Sequence, residues 1–438
     1  MLKTLSPRLA NWPLLLCSFR PLFLATVLLA VAGVALWLGF LGFGLPLPSV
    51  PGGPLVWHAH EMLLGFGLAA VAGFVLTAVP EFTSTAAFGR QIGFGFLLLW
   101  LAARLCFWLS GIIGPWPAAL FNSAFAIALV VLLAPRLLGD PLRRQYGFFG
   151  GLSALALVTV GFHVDAVAGQ YPMRWLYAGI GVMMVLIVVA MSRISMRILN
   201  DAIQAHRNAG HDVDEDYRAR PPRRNLAIFC ISLFTLAEWL ALPAPLSGWL
   251  ALAAAAAMFN LLNDWHIGRA LLERWSLMLY SVYWLMALGY GALGVSLLAD
   301  GYASSPGRHL LTLGAMGVSI LGVLCIAGRT HSGYALDQRR WVPIATCLLV
   351  LAALLRASAG LPGAPVPLLN MLAGLGWLTV FGLALRYMAP IWLRPRPDGG
   401  AGCEEPMDEH STGVGLPDLS GDRQLDAAFA AGEQTTEP

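Results

Sequence analysis

The chain has 438 residues, 58% of them hydrophobic and only 12% charged, with a mean hydropathy of +0.70. Soluble domains carry about a quarter charged residues, so a water-soluble fold is excluded, and the net charge of +3 reflects loop topology rather than an affinity for nucleic acid. Long apolar runs succeed one another, without the short alternating segments of a β-barrel, and predict an all-α membrane protein.

Taken in order, about twelve spans are expected, near residues 19–41, 56–79, 92–113, 116–138, 147–168, 175–198, 225–243, 246–263, 276–299, 309–328, 341–360 and 367–389. The first apolar stretch lacks a small-residue cleavage site and continues to spanning length, so it reads as a helix and not as a signal peptide. Bulky Leu16 beside Cys17 argues against lipoprotein processing. Lys3, Arg8 and Arg20 lie at the start, and alternate loops carry Arg90, Arg136, Arg143, Arg144, the run from Arg193 to Arg224, Arg269, Arg274, Arg329, Arg339 and Arg340. The opposite loops hold only Arg174, Arg308 and Arg356, an asymmetry that predicts both termini in the cytoplasm.

This places a polytopic membrane domain at 1–393 and a tail rich in Gly, Pro and acids at 394–438, expected to be disordered. The loop 200–224 sets His206 and His211 beside Asp212, Asp214, Glu215 and Asp216, which could hold a metal loosely but reads better as a solvated connector. Neither CxxC nor CxxCH occurs, so zinc ribbons and covalently attached haem are unsupported, and no Gly-rich phosphate loop points to ATP-driven work.

Ionisable groups inside the spans carry the functional signal, because hydrocarbon penalises them unless they are paired or used. His58, His60 and Glu61 stand at the outer mouth of helix two, with Trp57 suited to the interfacial belt. His163 near the outer end of helix five and His309 opening helix ten share that level, so four of the nine histidines gather at one depth. Imidazole is the common ligand of haem iron and copper. Residues two apart on a helix point about 200° away from one another, so in a regular helix His58 and His60 would serve different centres. Arg104 in helix three and Glu238 in helix seven could pair with each other. Arg308 and Arg356, at the outer level, could neutralise haem propionates or snorkel to headgroups.

Phe19-Arg20-Pro21-Leu22-Phe23, the stretch from Trp57 through His58, His60, Glu61 and Met62 to Phe66, Ala72 to Pro80, and Leu99 to Arg104 together resemble the NnrS family. His163, the block from His309 to Gly317, and His331-Ser332-Gly333 resemble its later motifs. The resemblance implies a twelve-helix protein of the bacterial inner membrane that binds non-covalent b-type haem and copper and acts in nitric oxide metabolism or nitrosative stress. It also implies that some of His58, His60, His163, His309 and His331 are metal ligands. Departures are Ala287 where helix nine usually has histidine, Met196 without the usual proline in helix six, Ile326 for arginine and Glu81 for asparagine. A looser resemblance joins the architecture to the heme-copper oxidase superfamily, although helices six and seven lack histidine.

The expected site therefore has haem held by His60 and His309, His58 and His163 available to copper or a second iron, and Arg104 and Arg308 balancing propionate charge. Nitric oxide would reach it through the lipid bilayer, to be sensed, sequestered or redox-converted. Competing expectations are a proton-coupled permease using Arg104 and Glu238, and a cofactor-free assembly factor for respiratory complexes.

Overall fold

The computed structural model describes residues 12–210, 216–400 and 402–403, and among these there is helix and no strand. Twelve long helices succeed one another: α1 (Phe19–Phe43), α2 (Gly53–Phe82), α3 (Arg90–Trp108), α4 (Trp116–Leu138), α5 (Tyr146–Val167), α6 (Met173–Asn208), α7 (Pro221–Trp239), α8 (Ala244–Leu262), α9 (Arg274–Leu298), α10 (Ser305–Thr330), α11 (Trp341–Ser358) and α12 (Val366–Trp392). All but α7 are long and apolar enough to cross a membrane. The exception carries Arg223, Arg224 and Glu238 along its 19 residues. The main departure from the expected boundaries is α6, which continues to Asn208 and shortens the predicted connector. There His206 meets Glu273 at 3.3 Å and Arg207 meets Asp216 at 2.7 Å, while positions 211–215 lie outside the described residues.

Short connections make successive helices pack as neighbours. Contacts between helices that are not successive show which lie inside: α1 packs directly on α3, and α9 directly on α11, so α2 and α10 lie inside the ring that α12 closes against α1. Together with α6 they are the most buried spans, and the three touch one another. Helices two, six and ten are thus the inner set, one from each run of four. Leu105, Leu120, Val131, Phe229 and Trp249 on the surrounding helices are exposed, as suits side chains that face hydrocarbon.

Both α2 and α10 leave α-helical geometry at one place. Glu61–Gly67 and Leu310–Met316 form π-helical turns, beginning directly after His60 and His309. Such insertions widen the turn and rotate the next stretch of helix about its axis, and they gather at functional sites. Close approach then depends on glycine. A Cβ on Gly307 would lie 2.8 Å from the Gly289 carbonyl oxygen and 2.8 Å from the Leu293 amide nitrogen, both backbone atoms that cannot swing away. Gly307→Ala is therefore expected to destabilise the α9–α10 contact by about 1–3 kcal/mol. Thermal unfolding in detergent would reveal a lowered midpoint, and an unchanged midpoint would contradict the tight crossing.

The end opposite the histidines is tied by arginine. Arg20 donates to the carbonyls of Trp392 (3.3 Å) and Arg394 (2.9 Å), and Arg396 to that of His331 (3.1 Å), so the start of the predicted tail is held against the bundle. Positions 401 and 404–438 lie outside the described residues. In the loop before α11, burial alone would raise the Asp337 carboxyl, but hydrogen bonds from Arg339 and the Trp341 indole outweigh it and hold it well below the ordinary carboxylate range.

Candidate functional site

The four histidines expected at one level do stand at one end of the bundle, but they divide into two pairs. His60, buried at the end of the regular turns of α2, lies with its ring centroid 5.5 Å from that of His163 on α5, at an interplanar angle of 80°. Phe107 stacks on His60 at 3.7 Å and Phe162 flanks it at 4.8 Å. His60 Nδ1 lies 3.0 Å from Glu61 Oε1, which also accepts from Arg104 Nη1 at 2.7 Å. Arg104 in turn donates through Nη2 to the Asn122 side-chain oxygen, and Asn122 Nδ2 donates to the Ala118 carbonyl at 2.8 Å. An arginine-paired carboxylate is acceptor-only, so the proton of that contact sits on His60 Nδ1.

The same groups crowd against the first π-helical turn. A Cβ at Gly65 would sit 2.8 Å from Arg104 Nη1 and 3.1 Å from Glu61 Oε2, so only glycine leaves room for the buried ion pair. The Gly65 carbonyl accepts from the Trp100 indole at 3.0 Å, anchoring the wide turn to α3. Left over, besides Glu61 Oε2 and Arg104 Nε, are His60 Nε2 and His163 Nε2, all buried without a hydrogen-bond partner. Each such orphan costs on the order of 1–3 kcal/mol, and a water or an ion is the kind of partner that would satisfy it.

The second pair lines a cavity of about 320 Å³ between α1, α2, α6, α10 and α12. His58 from α2 and His309 from α10 are both in its wall, with Trp37, Met62, Met173, Met316 and Trp377 as apolar lining and Arg308, Arg356, Tyr177 and Asn370 as polar lining. Trp37 stacks on His58 at 4.3 Å and 13°. His309 Nδ1 lies 2.8 Å from the Ser305 carbonyl oxygen, which accepts its N–H and leaves Nε2 as the lone pair. Arg356 donates to the Ser305 hydroxyl at 2.9 Å, and Arg308 makes a two-point pair with Glu238 at 2.6 and 3.2 Å while lying over the Tyr177 ring.

Several sequence expectations are re-partnered by this geometry. His60 does not join His309 and His58 does not join His163; the contacts run His60 to His163, with His58 and His309 on the shared cavity. His58 and His60, two apart on α2, thus have different neighbours, the cavity for one and His163 for the other. Arg104 and Glu238 do not meet, because each has found a nearer partner, Glu61 and Arg308 respectively. Arg104 therefore belongs to the His60 network, and among the arginines it is Arg308 and Arg356 that border the cavity. Trp57 is not interfacial but fully buried, 5.9 Å from Trp108.

His331 lies at the other end of α10, with Nδ1 2.9 Å from the Cys403 carbonyl and Nε2 3.6 Å from Glu81, too remote to share either pair. Ala287 is fully buried in α9 where the resembled motif has histidine. Sequence reasoning missed Asn122, Trp37 and Ser305, and it missed Asp165, which pairs with Arg174 at 2.9 Å. An amide or acid inside an apolar span was the signal available for Asn122 and Asp165; nothing in the chain marks Trp37 or Ser305.

Buried imidazoles in two pairs, set on the inner helices of a twelve-helix ring, can be compared with known proteins. No curated protein matches the chain. A heme-copper terminal oxidase, solved as a dimer by cryo-EM, superposes with a TM-score of 0.63 at 10% identity, over 97% of this chain and 90% of that one, a likeness of fold. The family described as NnrS protein matches residues 13–396, which takes in all twelve helices together with His58, His60, His163, His309 and His331, and the chain therefore belongs to the NnrS family.

Proposed function

We propose that this protein binds haem and copper in a bacterial inner membrane and acts on nitric oxide there, by metabolising it or protecting against it. The observation that carries the haem half is the cavity bordered by His58 and His309, two imidazoles from different inner helices beside two arginines. The residues suit haem: the walls are indole, thioether and aliphatic, the volume falls at the lower end of the usual range for ligand pockets, and His58 Nδ1 is buried without a partner. His309 would offer Nε2, with Ser305 fixing its tautomer, and Arg356 would stand beside the propionates, while Arg308 is held at the cavity wall by Glu238.

Bound haem iron would supply a binding or redox centre for a diatomic gas. The chain's own part is to hold the imidazoles, neutralise carboxylates in a low-dielectric setting and keep the lining apolar. Nitric oxide is small and apolar and reaches such a cavity through the bilayer. The excess of arginine at the opposite end supports a cytoplasmic position for that end and an outer position for the histidines. Membership of the family and the oxidase-like fold support the same reading. Arg104 and Glu238, which would have lined a permease path, are each committed elsewhere.

The test is a visible spectrum and iron content of the intact protein purified in detergent from haem-sufficient cells. A Soret band with stoichiometric iron is expected. A colourless protein without iron would overturn the haem reading.

A further inference from the structure

We infer that His60 and His163 form a separate two-imidazole site for a single copper ion in the cuprous state. The inference rests on the metal-binding reading above, but not on the haem cavity, whose wall includes neither residue. Both Nε2 atoms are buried and unpartnered, and the rings come from two different helices, α2 and α5. A metal about 2 Å from each nitrogen spaces two imidazole centroids by about 5–6 Å, and the observed separation is 5.5 Å.

The donor set selects the ion. A donor pair of two imidazole nitrogens disfavours magnesium, calcium and manganese, which take mainly oxygen ligands. Glu61 is the one acid in contact, and its Oε1 already serves both His60 and Arg104. That carboxylate orients His60 from behind, as outer-shell acids do for metal-bound histidine. The Glu61–Arg104 pair sums to zero charge, so the surroundings offer no net negative charge to offset a dication in a low-dielectric interior. A monovalent ion content with two imidazoles, in a pocket walled by Phe107 and Phe162, is cuprous copper.

The experiment measures copper per chain and the copper X-ray absorption spectrum of the full-length protein loaded with Cu(I) under reducing conditions, with the visible spectrum recorded on the same sample. About one copper per chain with two nitrogen neighbours is expected. His163→Leu should lose copper at least ~tenfold with the Soret band unchanged. His163→Met, of similar volume but with a thioether, should retain copper and show a sulfur neighbour. Copper that persists in His163→Leu, or sulfur scatterers in the wild type, would overturn the site. Copper that persists in His163→Leu refutes this inference alone, a Soret band without copper refutes copper binding altogether and leaves the haem reading, and copper without a Soret band refutes the haem reading alone.

Discussion

His309→Ala and His58→Ala are each expected to abolish or strongly shift the Soret band of the purified protein, whereas His331→Ala leaves it unchanged. The first two histidines border one cavity from α2 and α10, and His309 is held in one tautomer by the Ser305 carbonyl. If haem occupies that cavity as proposed, removing either would take away a residue that would hold the iron, and the ligands of haem iron govern both its retention and its spectrum. His331 sits at the far end of α10, engaged with the Cys403 carbonyl and Glu81. His60→Ala discriminates further: it should spare the band if His60 belongs with His163, and remove it if His60 and His309 share the haem. Unchanged spectra in both His58→Ala and His309→Ala would sink the cavity assignment and leave the family membership standing.

Arg104→Leu is the second large effect, expected to destabilise the fold by about 3–5 kcal/mol by leaving the Glu61 carboxylate buried and uncompensated. Both members of the pair have almost no solvent contact, and Glu61 Oε2 has no partner even with Arg104 present. The double variant Glu61→Leu with Arg104→Leu should recover most of that loss, because an apolar pair avoids the desolvation of two charges. Recovery will be incomplete, since His60 Nδ1 and Asn122 each lose a partner. Tryptophan-monitored thermal unfolding in detergent reads all three proteins. Equal midpoints for the single and double variants would show that Arg104 acts through packing and not through charge.

The second prediction also shows where the sequence runs out. Arg104 and Glu238 were the conspicuous charges in apolar spans and invited pairing with each other. Glu61, next to His60, reads from sequence as one more group at a helix mouth, yet it is the partner of Arg104. Arg308 reads as a cation at a membrane interface, yet it closes on Glu238. Each mistake concerns which helices are neighbours. Asn122 completes the Arg104 network from α4, a helix adjacent to α3 in the ring, and no spacing in the chain connects the two positions.

Sequence alone determined the solvent, the helical class, the positions of the twelve helices and the gathering of His58, His60, His163 and His309 at one end. Those properties come from apolar run length and from counting residues along a helix with a fixed rise, which gives depth directly. Only the tertiary structure decided the partners. Partnership depends on the order of helices around the ring and on the direction each side chain takes about its helix axis, and a linear pattern encodes neither. The π-helical turns after His60 and His309 reset that direction in the first half of two of the three inner helices, where a regular period of 3.6 would have misplaced everything beyond them. The division of four histidines into a cavity pair and a buried pair is therefore a property of the fold.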